Sequence, residues 1–145
     1  MIVVDTSVLV YAVGTEHPLR EPCQAIMEAV RQGRLRATTT IEVIQEFAHV
    51  RARRRGRVDA GQVARDYAEI LAPLTVVHPE DLVAGLELFE QQERLGAFDS
   101  LLAATAIRRG SRGLVAADRA FGDVDALAYF DPAAAGFVES LTNTG

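Results

Sequence analysis

The chain contains no lysine; all 15 of its basic residues are arginine. A phosphate-binding P-loop needs its lysine, and a receiver-type phosphoacceptor site normally needs one too, so neither is expected here. Cysteine is nearly absent. Cys23 stands alone, which rules out an internal disulfide and leaves core packing as its expected role. No apolar run approaches the ~20 residues that a membrane-spanning helix requires. The N-terminus has neither the basic stretch nor the small-residue cleavage site of a secretory leader. These absences lead us to expect a cytoplasmic protein with no membrane partner. The formal net charge of -5 argues against passive coating of nucleic acid, while leaving room for a local basic groove.

What is present suffices for one domain spanning 1–145, since 49% of the 145 residues are hydrophobic. Strand-like and helix-like segments alternate, which is the pattern of an α/β domain. Strands are predicted at Ile2–Val4, Leu35–Thr38, Leu74–Val77, Leu114–Ala116 and Leu127–Phe130. Helices are predicted at Ser7–Val13, from Pro18 to about Gln32 with Ala25, Ile26, Ala29 and Val30 inward, at Thr40–Arg54, and from Asp59 with Gln62 as a weak capping box. Two more are predicted at Pro79–Leu95 and Asp99–Arg109. Gly14, Gly33, Gly56 and Gly110 are the expected stops, and Phe137, Val138 and Leu141 are expected to pack the tail on the domain.

Two of the strands end on carboxylates. Ile2-Val3-Val4 runs straight into Asp5-Thr6-Ser7, and Leu114-Val115-Ala116-Ala117 delivers Asp118. In open α/β sheets ligands bind outside the carboxyl ends of the strands. Each aspartate alone is explained equally well as the cap of the helix that follows. As a pair in one crevice they repel, unless something positive lies between them. A hard divalent cation with oxygen ligands is the usual partner, which points to metal-assisted chemistry on phosphate.

Asp99 precedes the apolar run Ser100-Leu101-Leu102-Ala103-Ala104 and is expected to cap it. Capping and metal binding are compatible, because a carboxylate has two oxygens. Glu42 and Glu46 lie four apart and share a helix face. Thr39 and Glu42 fit a capping box, so Glu42 has a structural job. Glu46, flanked by Val43, Phe47 and Val50, has none and needs a partner beside the buried stripe. We therefore favour Glu46 as the functional acid.

Asp5-Thr6-Ser7, Glu46 within Val43-Ile44-Gln45-Glu46-Phe47, Asp99 within Phe98-Asp99-Ser100-Leu101-Leu102-Ala103, and Asp118 within Leu114-Val115-Ala116-Ala117-Asp118-Arg119-Ala120-Phe121 together resemble a PIN domain. More narrowly, they resemble the VapC toxins of bacterial toxin–antitoxin pairs. The resemblance covers essentially the whole chain. It implies a PIN-like three-layer α/β/α domain with a mostly parallel central sheet. It also implies a Mg²⁺-dependent (or Mn²⁺-dependent) ribonuclease, usually a homodimer, that cleaves RNA and is silenced by a cognate VapB-type antitoxin. On that reading Asp5 and Asp99 are the main metal ligands, Asp118 completes the acidic pocket, and Glu46 holds metal water or a second ion. All four are then catalytic. Two positions depart from the family pattern. Ala116 stands where a Thr or Ser is frequent, and Ala120 where many members carry another acid. Asp123 is the available substitute, although it reads more simply as a solvated loop acid. Ser7 is expected either to hydrogen-bond the cluster or merely to start its helix.

Five arginines crowd Arg51-Ala52-Arg53-Arg54-Arg55-Gly56-Arg57. A helix C-terminus accounts for one or two; the rest suggest a partner, either an RNA backbone or an acidic antitoxin segment. For Arg108, Arg109 and Arg112 the helix dipole suffices. His17, His49 and His78 show no metal-ligand spacing and read as surface or loop residues. Two competing readings fit the sequence less well. A haloacid-dehalogenase-type phosphatase needs an aspartate at the position of Ser7 and a later lysine. A PIN-like module that binds without cutting would be favoured by a missing acid, and the quartet is complete.

Overall fold

Four short strands form one sheet in the order β2-β1-β3-β4, and every pairing is parallel. The computed structural model describes residues 1–143. The strands are β1 (Ile2–Val4), β2 (Ala37–Thr38), β3 (Gly113–Val115) and β4 (Tyr129–Phe130). Between them run α1 (Thr6–Val13), α2 (Arg20–Arg31), α3 (Ile41–Arg55), α4 (Arg57–Ile70), α5 (Pro79–Gln91) and α6 (Ala97–Arg108). A 3₁₀ turn (Arg119–Asp123) follows β3, and α7 (Phe137–Thr142) closes the described chain. Helix α1 packs on α2 and α3, α3 on α4, and α5 on α6, which also touches β3. Helix layers over a parallel sheet make the three-layer α/β/α arrangement. Such a sheet is covered on both faces, and every residue of β1 and β3 is buried.

The strand order sets the location of the crevice. From β1 the chain moves outward to β2, then returns to the other side of β1 to form β3. The connections therefore diverge between β1 and β3, and that divergence opens a crevice at the strands' carboxyl ends. Asp5 and Asp118 stand at the two lips of it.

Several sequence expectations are corrected. Leu74–Val77 is not a strand; it makes a single bridge, Thr40 to Thr75. Its neighbours' polar groups are taken by side chains instead: Thr38 Oγ1 donates to the Pro73 carbonyl at 2.9 Å, and Arg109 to the Val76 carbonyl at 2.9 Å. The strand Leu35–Thr38 shortens to Ala37–Thr38, because the Leu35 N–H is used by the Ala29 carbonyl to finish α2. Of the late strands, Leu114–Ala116 shifts by one residue to Gly113–Val115 and Leu127–Phe130 shrinks to Tyr129–Phe130. Helix α2 starts at Arg20 rather than Pro18; Cys23 and Met27 face inward with Ile26, Ala29 and Val30, and Ala25 is exposed. Cys23 is buried, as expected.

Helix α4 begins at Arg57, two residues before Asp59. Gly56, at φ 86°, adopts a left-handed conformation and turns α3 directly into α4. Asp59 therefore does not cap; it binds Arg51 Nε at 2.7 Å. Helix α5 ends at Gln91, short of Leu95. Helix α6 begins at Ala97, with Gly96 as its N-cap, so Asp99 is inside the first turn and does not cap. Gly85 lets α5 and α6 approach closely: a Cβ there would lie 2.9 Å from the Leu101 Cα. In α7, Phe137 and Leu141 are buried and Val138 packs against the core, as expected for the tail.

Candidate active site

The apolar run of β1 ends because Asp5 is extended and caps α1, accepting from the Ser7 N–H at 3.1 Å. The Ser7 hydroxyl also donates to Asp5 Oδ2 at 2.6 Å and accepts from the Ala117 N–H at 3.0 Å. One small side chain thus ties the end of β1 to the segment leaving β3. Ser7 fulfils both of its expected roles. Asp118 repeats the arrangement one strand over, capping the 3₁₀ turn by accepting from the Ala120 N–H at 2.9 Å. Capping and site placement coexist at both aspartates, each cap using a single oxygen.

Glu46 comes from α3. Glu46 is exposed rather than held beside the buried stripe, yet it has a partner: the Thr6 hydroxyl donates to its Oε2 at 2.9 Å. The expected Thr39–Glu42 capping box does not form. The cap is Thr40, whose Oγ1 accepts from the Val43 N–H at 3.3 Å. Thr39 instead buries its hydroxyl against the Val4 carbonyl at 2.6 Å. Glu42 is exposed and has no capping duty, so the structural role assigned to it from sequence is wrong.

Asp5, Glu42, Glu46, His49, Phe98 and Asp99 line a cavity of about 620 Å³. Asp118 lies outside this wall, yet its charge acts on Asp99. The carboxyl of Asp99 is pushed up to about 7, first by burial and then by the negative charges of Asp5, Glu46 and Asp118. Asp5 is only 6% exposed. Burial raises its carboxyl most, the two Ser7 hydrogen bonds pull it down, and Glu46 pushes it up again. The other three acids named from sequence are therefore all within electrostatic reach of Asp99. They are not drawn into a shell: among the described residues, no three acidic, imidazole or thiol groups converge on one point. The donor set is all carboxylate oxygen, which suits a hard divalent cation better than a soft one.

Asp123 does not replace the missing acid at Ala120; it pairs with Arg94 Nη1 at 3.1 Å. Ala116 is buried, and its carbonyl accepts from the Tyr129 hydroxyl at 2.8 Å. His49 is exposed, as the sequence predicts, and it also lines the cavity. It lies three residues beyond Glu46 on α3 and in the cavity wall, a position that the i, i+3 spacing from Glu46 could have revealed. His17 stacks on Tyr11, and His78 heads α5, its N–H donating to Asp81 at 2.8 Å. The dipole explanation for Arg108 and Arg109 is also corrected. Both grip the fully buried Asp81, at 2.9 and 2.6 Å.

Residues 2–127 match the PIN domain. The chain is 47% identical to Ribonuclease VapC7 of Mycobacterium tuberculosis, over 97% of this chain and 98% of that one. It is 35% identical to Ribonuclease VapC23 of the same species, covering 76% and 86%. It is 29% identical to Ribonuclease VapC13, covering 83% and 92%.

Proposed function

The chain belongs to the PIN-domain family, among its VapC ribonucleases, and from that premise we propose that it is an endoribonuclease toxin whose acids hold Mg²⁺, with Mn²⁺ as a substitute. The observation that supports the metal is the carboxyl of Asp99, lifted to about 7 by burial and by three neighbouring acids. Such a crowd of negative charge is relieved by a cation. Asp5 and Asp99 would be its main ligands, with Asp118 completing the pocket and Glu46 orienting water. The cation would lower the pKa of bound water and neutralise charge growing on the phosphate. The protein's own share is positional. Ser7 aims Asp5 through a 2.6 Å hydrogen bond, and Thr6 aims Glu46 through one of 2.9 Å.

The same reading takes RNA as substrate and a VapB-type antitoxin as inhibitor. It makes the enzyme a cytoplasmic homodimer, with 1–145 as a single domain. Burial of Phe137 and Leu141 in α7 supports counting the segment beyond residue 127 with that domain. No described helix is long and apolar enough to cross a membrane. The test is cleavage of an RNA pool by the purified protein in Mg²⁺, in Mn²⁺ and in EDTA. Metal-dependent cleavage that disappears in Asp5→Asn is expected. Equal cleavage in EDTA would sink the metal assignment, and none under any condition would favour a silent binding module.

A further inference from the structure

Gly56 joins α3 to α4 without a loop, so the last turn of α3 faces the first turns of α4. A groove opens between them, floored by small residues and edged by His49, Arg53 and Arg57. Gly61 lies in its wall, and a Cβ there would lie 3.6 Å from an Arg65 guanidinium nitrogen, so a third arginine stands close by. Among the described residues Arg53, Arg57 and Arg65 make no ion pair. Arg51 differs: it is locked between Asp59 and the Val13 carbonyl. The five-arginine run therefore divides into one structural arginine and others free to bind.

The groove adjoins the acidic cavity, and His49 lines both. Along α3 the residues Glu46, His49 and Arg53 follow at i, i+3 and i+7, on one face of the helix. Glu46 and Arg53 are separated by about 10 Å along the axis, at 1.5 Å per residue. Negative charge gives way to positive over that distance.

We propose that Arg53 and Arg57, with His49 at the junction, form a subsite for a backbone phosphate flanking the bond that is cut. The proposal rests on the nuclease reading above and adds the path of the strand. A guanidinium matches phosphate in charge and in its planar pair of donors. An RNA strand crossing the acidic cavity and passing His49 reaches this groove. An acidic protein segment lying along the same path would set its carboxylates against Glu46 and Asp99. The geometry therefore favours the nucleic acid.

The test uses the intact protein and labelled single-stranded oligouridylate, bound in EDTA at several salt concentrations. Arg53→Gln/Arg57→Gln is compared with Arg54→Gln/Arg55→Gln, whose residues lie outside the groove wall. The groove variant should bind about tenfold more weakly, and the slope of log K against log salt should become shallower by about 0.7, for one lost phosphate contact. The other variant should match wild type. Hydrolysis of bis-p-nitrophenyl phosphate, which has one diester and no flanking phosphate, should be unchanged in both. Equal weakening by the two variants would reduce the effect to diffuse charge and overturn the subsite. So would unchanged binding in the groove variant, or polyglutamate that binds as tightly and loses as much. If wild type cleaves no phosphodiester while the binding pattern holds, the nuclease reading fails and the subsite stands.

Discussion

Thr6 Oγ1 donates a 2.9 Å hydrogen bond to Glu46 Oε2, joining the start of α1 to the middle of α3 across 40 residues of sequence. The bond orients one oxygen of Glu46 and leaves the other for the cavity. Glu42, one turn earlier on the same helix, is exposed as Glu46 is but has no such anchor.

Glu46→Gln should therefore reduce RNA cleavage roughly tenfold to a hundredfold, the scale for groups that orient metal water. Glu42→Gln should stay within about twofold of wild type, because the α3 cap belongs to Thr40. Thr6→Val should fall between them, since it frees Glu46 without removing its charge. Steady-state cleavage of one RNA by the three variants checks the order, and an inactive Glu42→Gln would reverse the assignment.

Asp5→Asn should abolish cleavage and at the same time raise the melting temperature of the metal-free protein. The amide oxygen can still accept from Ser7, so the α1 cap survives. A buried charge that Glu46 repels is gone. Thermal melts in EDTA and a cleavage assay read the two effects. Full activity, or a lower melting temperature, would contradict the assignment.

The metal-free protein should lose stability as pH rises towards neutrality. In the folded state Asp99 titrates at about 7, against an ordinary carboxylate value of 3.8. Between these values the native state binds the extra proton, so its contribution is full below 3.8 and lost as pH passes 7. Melting in EDTA at pH 5 and pH 8 should show the drop, and Asp99→Asn should flatten it. Saturating Mg²⁺ should shrink it as well, because a cation bound to the ionised acid takes the proton's place. A flat profile for wild type would show that the acids do not crowd one another.

Asp81→Asn should destabilise the fold with little effect on the chemistry per folded molecule. Asp81 is buried, and its carboxyl lies low because the His78 N–H, Arg109 and Arg108 outweigh the cost of burial. Losing its charge leaves two guanidiniums facing an amide. The cost should be about 2–3 kcal/mol, below that of a wholly buried pair because both arginines are partly in water. Urea unfolding measures it, and an unchanged midpoint would make the cluster ornamental.

The primary sequence determined the chemistry. Asp5 and Asp118 were legible because a buried parallel strand is an unbroken apolar run, and the first carboxylate after it must surface at the sheet's edge. Cys23 and the tail residues Phe137 and Leu141 were legible from hydrophobicity alone. The sequence could not decide among neighbours that differ only in what they meet across the fold. Thr39 and Thr40 have equal capping chemistry, and the Val4 carbonyl on β1 claimed Thr39. Asp99 looked like a cap until Gly96 began α6 three residues earlier, which left its carboxyl to the acidic cluster. Leu74–Val77 had the composition of a strand, but Thr38 and Arg109 took the carbonyls of Pro73 and Val76. Arg51 and Arg53 are alike in the chain; only the packing of α4 gave one to Asp59 and turned the other to the groove. Local pattern states which groups need partners, and the tertiary structure decides which partner arrives, because hydrogen bonds and ion pairs reach only a few ångströms and the residues that satisfy them lie tens of positions away.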